Sequence, residues 1–176
     1  MDTNPADIAA TIAHNSHNGQ TGRDGQPYIN HPQRVAERLQ QAGLDSRIVA
    51  AGWLHDLLED TDYPHDALAA NFDEPTIAAI EAVTRQPDET YQNLIGRAAH
   101  NPWAAVVKTA DLLDHLEPQR RHSLPPGNLT RYRSALAVLA ERLEAHVESR
   151  QIGEDAMNLW VDAQIRLDEL DGFPSA

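Results

Sequence analysis

Cysteine is absent from this sequence of 176 residues, which removes disulfides, thiolate metal sites and cysteine nucleophiles in one step. Any metal must then be held by histidine and carboxylates. No apolar run approaches the roughly 18 residues needed to cross a bilayer, so no membrane partner is expected. The first residues, MDTNPADIAATIAHN, have neither a basic n-region nor an apolar h-region, so they do not read as a signal peptide and the expected location is cytoplasmic. Basic residues are scarce too: 14 Lys and Arg face 27 Asp and Glu, for a net charge of −13. Nucleic acid is therefore not an expected partner, because affinity for the phosphate backbone comes from clustered Lys and Arg. A small anion remains compatible if local cations or a bound metal override the overall field.

What is present is the composition of an ordinary globular protein, 41% hydrophobic and 23% charged. Apolar residues recur at helical spacing almost throughout, and no segment alternates at period two, so the expected fold is all-α. One domain is expected over 1–176, with its motifs within about 17–133 and a C-terminal helix over 153–171 packed on it. The spacing predicts a helix from Pro5 to Asn18, a Gly-rich turn, and a helix opened by His31-Pro32 and ended by Gly43. A third helix begins at Asp45-Ser46 and runs on to Thr61. Shorter ones follow over His65 to Asn71 and Glu74 to Arg85. Asn101-Pro102 starts another, Leu124-Pro-Pro-Gly127 is a loop, and two further helices carry Leu136 to Val147 and Met157 to Leu167.

Within the third helix stands Trp53-Leu-His-Asp-Leu-Leu-Glu-Asp-Thr61, where one histidine and three carboxylates share six positions with core-forming leucines. On a continuous helix His55 and Glu59 share one line and Asp56 and Asp60 the next, about a quarter turn away. Burying unpaired carboxylates costs several kcal/mol or more, and a divalent cation would resolve the conflict. His55 and Asp56 supply two ligands, so others must come from elsewhere. His31, beside a Gly-rich turn, and Asp111, a lone carboxylate in Val-Val-Lys-Thr-Ala-Asp-Leu-Leu, are the candidates; a capping histidine and an i−3 salt bridge to Lys108 are the structural alternatives.

Taken in order, PYINHP, WLHDLLEDT and VKTADLLDHL resemble the HD-domain phosphohydrolases, and within them the hydrolase domain of RelA/SpoT enzymes and the small alarmone hydrolases. The resemblance covers the chain from about His17 to the Arg131-Tyr-Arg133 helix. It implies a helical fold with one Mn(II) held by His31, His55, Asp56 and Asp111, though His and Asp also bind Fe and Zn. It implies hydrolysis of the 3′-diphosphate of ppGpp-like nucleotides, with Glu59 and Asp60 as the catalytic pair.

Departures from the family pattern fall where substrate is chosen. Arg23 is the one cation in Thr21-Gly-Arg-Asp24, where RelA/SpoT enzymes carry a basic cluster. Family members usually carry Asn four residues past the metal-binding Asp and often Arg two further on, where this chain has His115 and Glu117. His115 is either a hydrogen-bond donor to substrate or a surface histidine. Lys108, the single lysine, either faces the site or lies on the surface. Tyr132 matches an aromatic near the nucleotide, or is a core tyrosine. Arg120 and Arg121 could replace the missing Arg, although a solvated basic turn is the preferred reading. The remaining histidines show no spacing that ties them to the site. Two other functions stay open: a phosphatase acting on another nucleotide, such as ppApp, NADPH or a nucleoside monophosphate, and a nucleotide-sensing module without turnover.

Overall fold

A computed structural model describes residues 4–122 and 124–171, so residues 1–3 and 172–176, the ends of the expected 1–176 unit, lie outside the described residues. The described chain is all-α, with a single isolated bridge between Thr21 and Pro27 as its only extended pairing. Its helices are α1 (Pro5–Ser16), α2 (Asn30–Gln41), α3 (Ser46–Trp53), α4 (Leu57–Asp60), α5 (Glu74–Val83), α6 (Tyr91–His100), α7 (Pro102–His115), α8 (Pro118–Arg121), α9 (Asn128–Glu148) and α10 (Ala156–Asp171). His65–Ala70 forms a 3-10 segment rather than an α-helix.

The starts are set by local chemistry. The side chains of Asn4, Asp45, Asp73, Thr90 and Asn101 each accept from a backbone amide in the first turn, and proline follows Asn4 and Asn101 at the first helical position. The sequence reading did not anticipate α6. Its apolar stripe, Leu94, Ile95, Ala98 and Ala99, is diluted by Gln92, Asn93, Gly96 and Arg97.

Helix α7 is the centre of the molecule. Ten of its fourteen residues are buried, and it packs against α2, α3, α5, α6, α9 and α10. Asp111 and Asp114 are therefore carried into the interior by an otherwise apolar helix. Helices α2 and α3 approach closely at Gly52, where a Cβ would lie 2.3 Å from Leu39 Cδ1.

The expected helix through the Trp53–Thr61 stretch is interrupted. Helix α3 stops at Trp53 and α4 starts at Leu57, leaving His55 and Asp56 in a non-helical link with Leu54 at φ −108°, ψ 7° and Asp56 at φ −102°, ψ 0°. His55 Nδ1 takes the Gly52 carbonyl at 2.8 Å, the acceptor that an unbroken helix would offer to the amide of Asp56. The break drives His55 inward while Glu59 stays exposed, so the two do not share one edge as the continuous helix required.

Candidate metal centre

His31 enters the site from the first turn of α2, His55 and Asp56 from the link between α3 and α4, and Asp111 from the middle of α7. Atoms of His31, His55 and Asp111 all lie within 4.8 Å of one another. His31 Nε2 is 3.2 Å from both His55 Nε2 and Asp111 Oδ1, and His55 Nε2 is 3.8 Å from that oxygen. Asp56 Oδ2 lies beside both histidines, 3.1 Å from His55 Nε2 and 3.6 Å from His31 Nε2. Ligands placed about 2.1 Å from one cation sit about 3 Å from their neighbours, which is the spacing seen here.

Three further observations test whether these residues suit a cation. The Nδ1 atoms of both histidines already face acceptors, the Asp114 carboxylate at 2.8 Å and the Gly52 carbonyl at 2.8 Å. In the neutral rings the hydrogen then sits on Nδ1 and the Nε2 lone pairs converge, the arrangement in which a histidine ligand is oriented by an outer carboxylate or carbonyl. Asp111 Oδ1 is buried without a hydrogen-bond partner although three imidazoles surround it. Burial lowers the pKa of His31, yet the carboxylates of Asp111, Asp114 and Asp56 around it bring it up to about 10. Without a cation this centre gathers a proton instead, so its field suits a dication. These residues fit a divalent cation.

The carboxylates are held ionised. Burial alone would raise Asp56 and Asp111, but His55 and His31 hold Asp56 below its ordinary range, and Lys108, His115 and His31 hold Asp111 well below. Lys108 Nζ is 2.7 Å from Asp111 Oδ2, so the lysine faces the site through the i−3 pair that the sequence offered as its structural alternative. The pair and the cluster coexist because Asp111 uses its two oxygens separately.

Asp114 was not anticipated. It is 2% exposed, and it accepts from His31 Nδ1, from Arg34 Nε at 2.8 Å and from Arg120. Burial raises its pKa, while His31, Arg34 and Arg120 outweigh it and bring it to about 2. A second carboxylate one turn past Asp111 in Asp-Leu-Leu-Asp was the signal available. Arg120 is thereby corrected from a solvated basic turn to a partner of a buried carboxylate, with its Nε on the Asp114 carbonyl at 2.8 Å.

Tyr28 was also missed, although it lies in the quoted PYINHP stretch. Its hydroxyl is 2.5 Å from Asp56 Oδ2 and 2.8 Å from Asp60 Oδ2. Glu59 turns away, its Oε2 accepting from the Arg85 amide at 3.1 Å. His17, which showed no spacing linked to the site, is buried, and its ring centroid is 5.1 Å from that of Tyr28.

The centre opens into a cavity of about 550 Å³. Arg23, Arg34, Arg85, Lys108, Arg120 and Arg131 line it, six of the fourteen basic residues in a chain of net charge −13. The thin basic turn around Arg23 is thus supplemented by cations from α2, α7, α8 and α9. A file of rings leads outward along one wall: His31 to His115 at 4.6 Å, His115 to Tyr132 at 5.4 Å and Tyr132 to Tyr91 at 6.0 Å. Arg131 lies over both tyrosines, 4.5 Å from Tyr91 and 5.6 Å from Tyr132. Arg23, Lys108, His115 and Tyr132 all line this cavity, whereas Glu117 pairs with Arg38 and Arg166 outside its lining.

A helical core with two histidines and two carboxylates from three separate motifs defines a class, and a family model described as HD domain matches residues 9–121. The chain belongs to the HD-domain family. A Mycobacterium leprae (strain TN) protein named probable GTP pyrophosphokinase is 34% identical over 142 residues, covering 75% of this chain and 18% of the relative. A guanosine-3′,5′-bis(diphosphate) 3′-pyrophosphohydrolase of Aquifex aeolicus (strain VF5) is 33% identical over 117 residues, 62% of this chain and 17% of the relative. The chain thus spans about a fifth of the length of these curated relatives. A solved structure described as a metazoan ortholog of SpoT that hydrolyzes ppGpp superposes with a TM-score of 0.68 at 20% identity, over 97% of this chain and 95% of that one. At that identity the likeness shows the fold. No helix among the described residues is long and apolar enough to cross a membrane.

Proposed function

We propose that this chain is a Mn(II)-dependent hydrolase that removes the 3′-diphosphate of ppGpp-like nucleotides as pyrophosphate. The observation carrying this reading is the convergence of His31, His55, Asp56 and Asp111 at the floor of a cavity that gathers six basic side chains. Six carboxylates, the assigned ligands Asp56 and Asp111 among them, share that lining, so it is the bound cation together with the basic side chains that suits the site to a substrate with two diphosphates.

In this reading His31, His55, Asp56 and Asp111 hold the ion, which supplies a Lewis acid for the phosphoryl group and lowers the pKa of the attacking water. The water oxygen joins phosphorus as the bond from phosphorus to the 3′-oxygen breaks, so one proton must leave the water and one must reach the 3′-oxygen. Glu59 and Asp60, at the cavity wall, are the carboxylates assigned to that exchange. Lys108 and Arg23 bind phosphate oxygens, and His115 and Tyr132 flank the nucleotide. The substrate is a free nucleotide rather than a nucleic acid, and the setting is the cytoplasm. The relative named a 3′-pyrophosphohydrolase supports the substrate class.

A second reading, a phosphatase acting on another nucleotide, is favoured by one observation: His115, a departure from the family pattern that the resemblance implies, lies between His31 and Tyr132 within the cavity. Purified protein with Mn(II) is to be incubated separately with ppGpp, ppApp, NADPH and deoxynucleoside monophosphates. Pyrophosphate from ppGpp is the expected product. Orthophosphate from another nucleotide, with ppGpp left intact, would establish the second reading.

A further inference from the structure

Tyr28 has no role in the function proposed above, yet its hydroxyl touches two carboxylates to which that proposal gives different tasks. The Oη–Oδ2 distances, 2.5 Å to Asp56 and 2.8 Å to Asp60, are both hydrogen-bonding distances. A phenol carries one hydrogen, so it can donate to only one of two ionised oxygens at a time. We infer that Tyr28 is a positioning residue that couples Asp56 to Asp60 by dividing one hydroxyl hydrogen between them.

The surrounding geometry makes this a coupling rather than a chance contact. The Asp56 oxygen that accepts from Tyr28 is the same Oδ2 that faces His55 Nε2 and His31 Nε2. A cation held by those groups draws electron density from that oxygen and weakens it as an acceptor, which leaves Asp60 the stronger claim on the hydrogen. Asp60 is exposed, and its side chain accepts from the Tyr28 hydroxyl.

Its backbone is fixed from the same short segment. Gln20 Nε2 donates to the Asp60 carbonyl at 2.8 Å, Gln20 Oε1 meets His17 Nδ1 at 2.8 Å, and the Tyr28 amide donates to the Gln20 carbonyl at 3.0 Å. The phenol ring sits between His17 and His31, with centroids at 5.1 and 6.1 Å, so the hydroxyl is aimed by packing. Removing the hydroxyl alone leaves that packing in place.

The inference rests on the metal reading of the site, and it is tested by a cycle that does not need turnover. Mn(II) dissociation constants are measured by calorimetry on the full chain as wild type, Y28F, D60N and Y28F/D60N. If Tyr28 links the two carboxylates, the separate fold-changes fail to multiply, with a discrepancy of about fivefold or more. A smaller discrepancy overturns the inference, because Asp60 then acts on the cation by charge alone.

The kinetic arm uses ppGpp. Y28F is expected to lower kcat by roughly 10- to 100-fold with KM within about threefold, and to add little in the D60N background. A Y28F enzyme with wild-type kcat overturns the inference. Wild-type protein that binds Mn(II) but spares ppGpp overturns the proposed substrate, while the binding cycle still decides the coupling. Wild-type protein that does not bind Mn(II) overturns both.

Discussion

Replacing Asp114 with Asn is the most direct probe of how the centre is held. The side chain is 2% exposed and accepts from an imidazole and two guanidinium groups, and the substitution keeps its volume while removing its charge. Its carboxyl titrates at about 2 against an ordinary 3.8. That depression of about two units corresponds to about 2.5 kcal/mol of native-state stability, present in full above the unfolded value and lost as pH falls through about 2. Breaking a buried ion pair from one side costs about 3–5 kcal/mol, an upper figure here because the Arg34 side chain is 33% exposed and can recover water. The expected loss at neutral pH is therefore about 2–4 kcal/mol, or roughly 5–15 °C in Tm for a chain of this size. Thermal melts in EDTA measure it without the contribution of any cation. A D114N protein that melts within about 2 °C of wild type would refute the claim that Asp114 anchors the network. Because Asp114 also orients His31, Mn(II) affinity should fall by roughly 10- to 100-fold.

Replacing Asp111 with Ala should abolish Mn(II) binding while the helical circular dichroism persists; a folded variant with full activity would remove Asp111 from the ligand set. Gly52→Ala should destabilise by about 1–3 kcal/mol, since the new methyl would overlap Leu39 Cδ1, and chemical denaturation with an unchanged slope is the check. If His115 sets the substrate, His115→Asn should change ratios of kcat/KM across the nucleotide panel at least tenfold, over and above any change in Mn(II) affinity that follows from its contact with Asp111 Oδ1 at 3.2 Å. Equal ratios in the two proteins would assign that choice elsewhere on the cavity wall.

The legible part of the site was the part written locally. His31, His55, Asp56 and Asp111 stood in three ordered motifs, and the structure clusters His31, His55 and Asp111 with Asp56 beside the two histidines. Glu59 and Asp60 were legible as a pair, but their division was not, because the break at Leu54–Asp56 gives Asp60 to Tyr28 and turns Glu59 toward the Arg85 amide. Tyr28 and Asp114 each make contacts across 28 or more positions of sequence, and neither sits in a periodic pattern that marks it.

The sequence by itself determined the all-helical architecture, the helix starts at Pro5, Asp45-Ser46 and Asn101-Pro102, and the residue types able to hold a cation in a chain without cysteine. These follow from caps, periodicity and side-chain chemistry, which act over a few residues. Tertiary structure decided what the charges do. It drew six cations into one cavity of an acidic protein, set the Asp114 carboxylate and the Gly52 carbonyl against the Nδ1 atoms of His31 and His55, and placed one tyrosine hydroxyl between two carboxylates. Those outcomes depend on distances between helices far apart in the chain, set by how α2 and the α3–α4 link close on the buried face of α7.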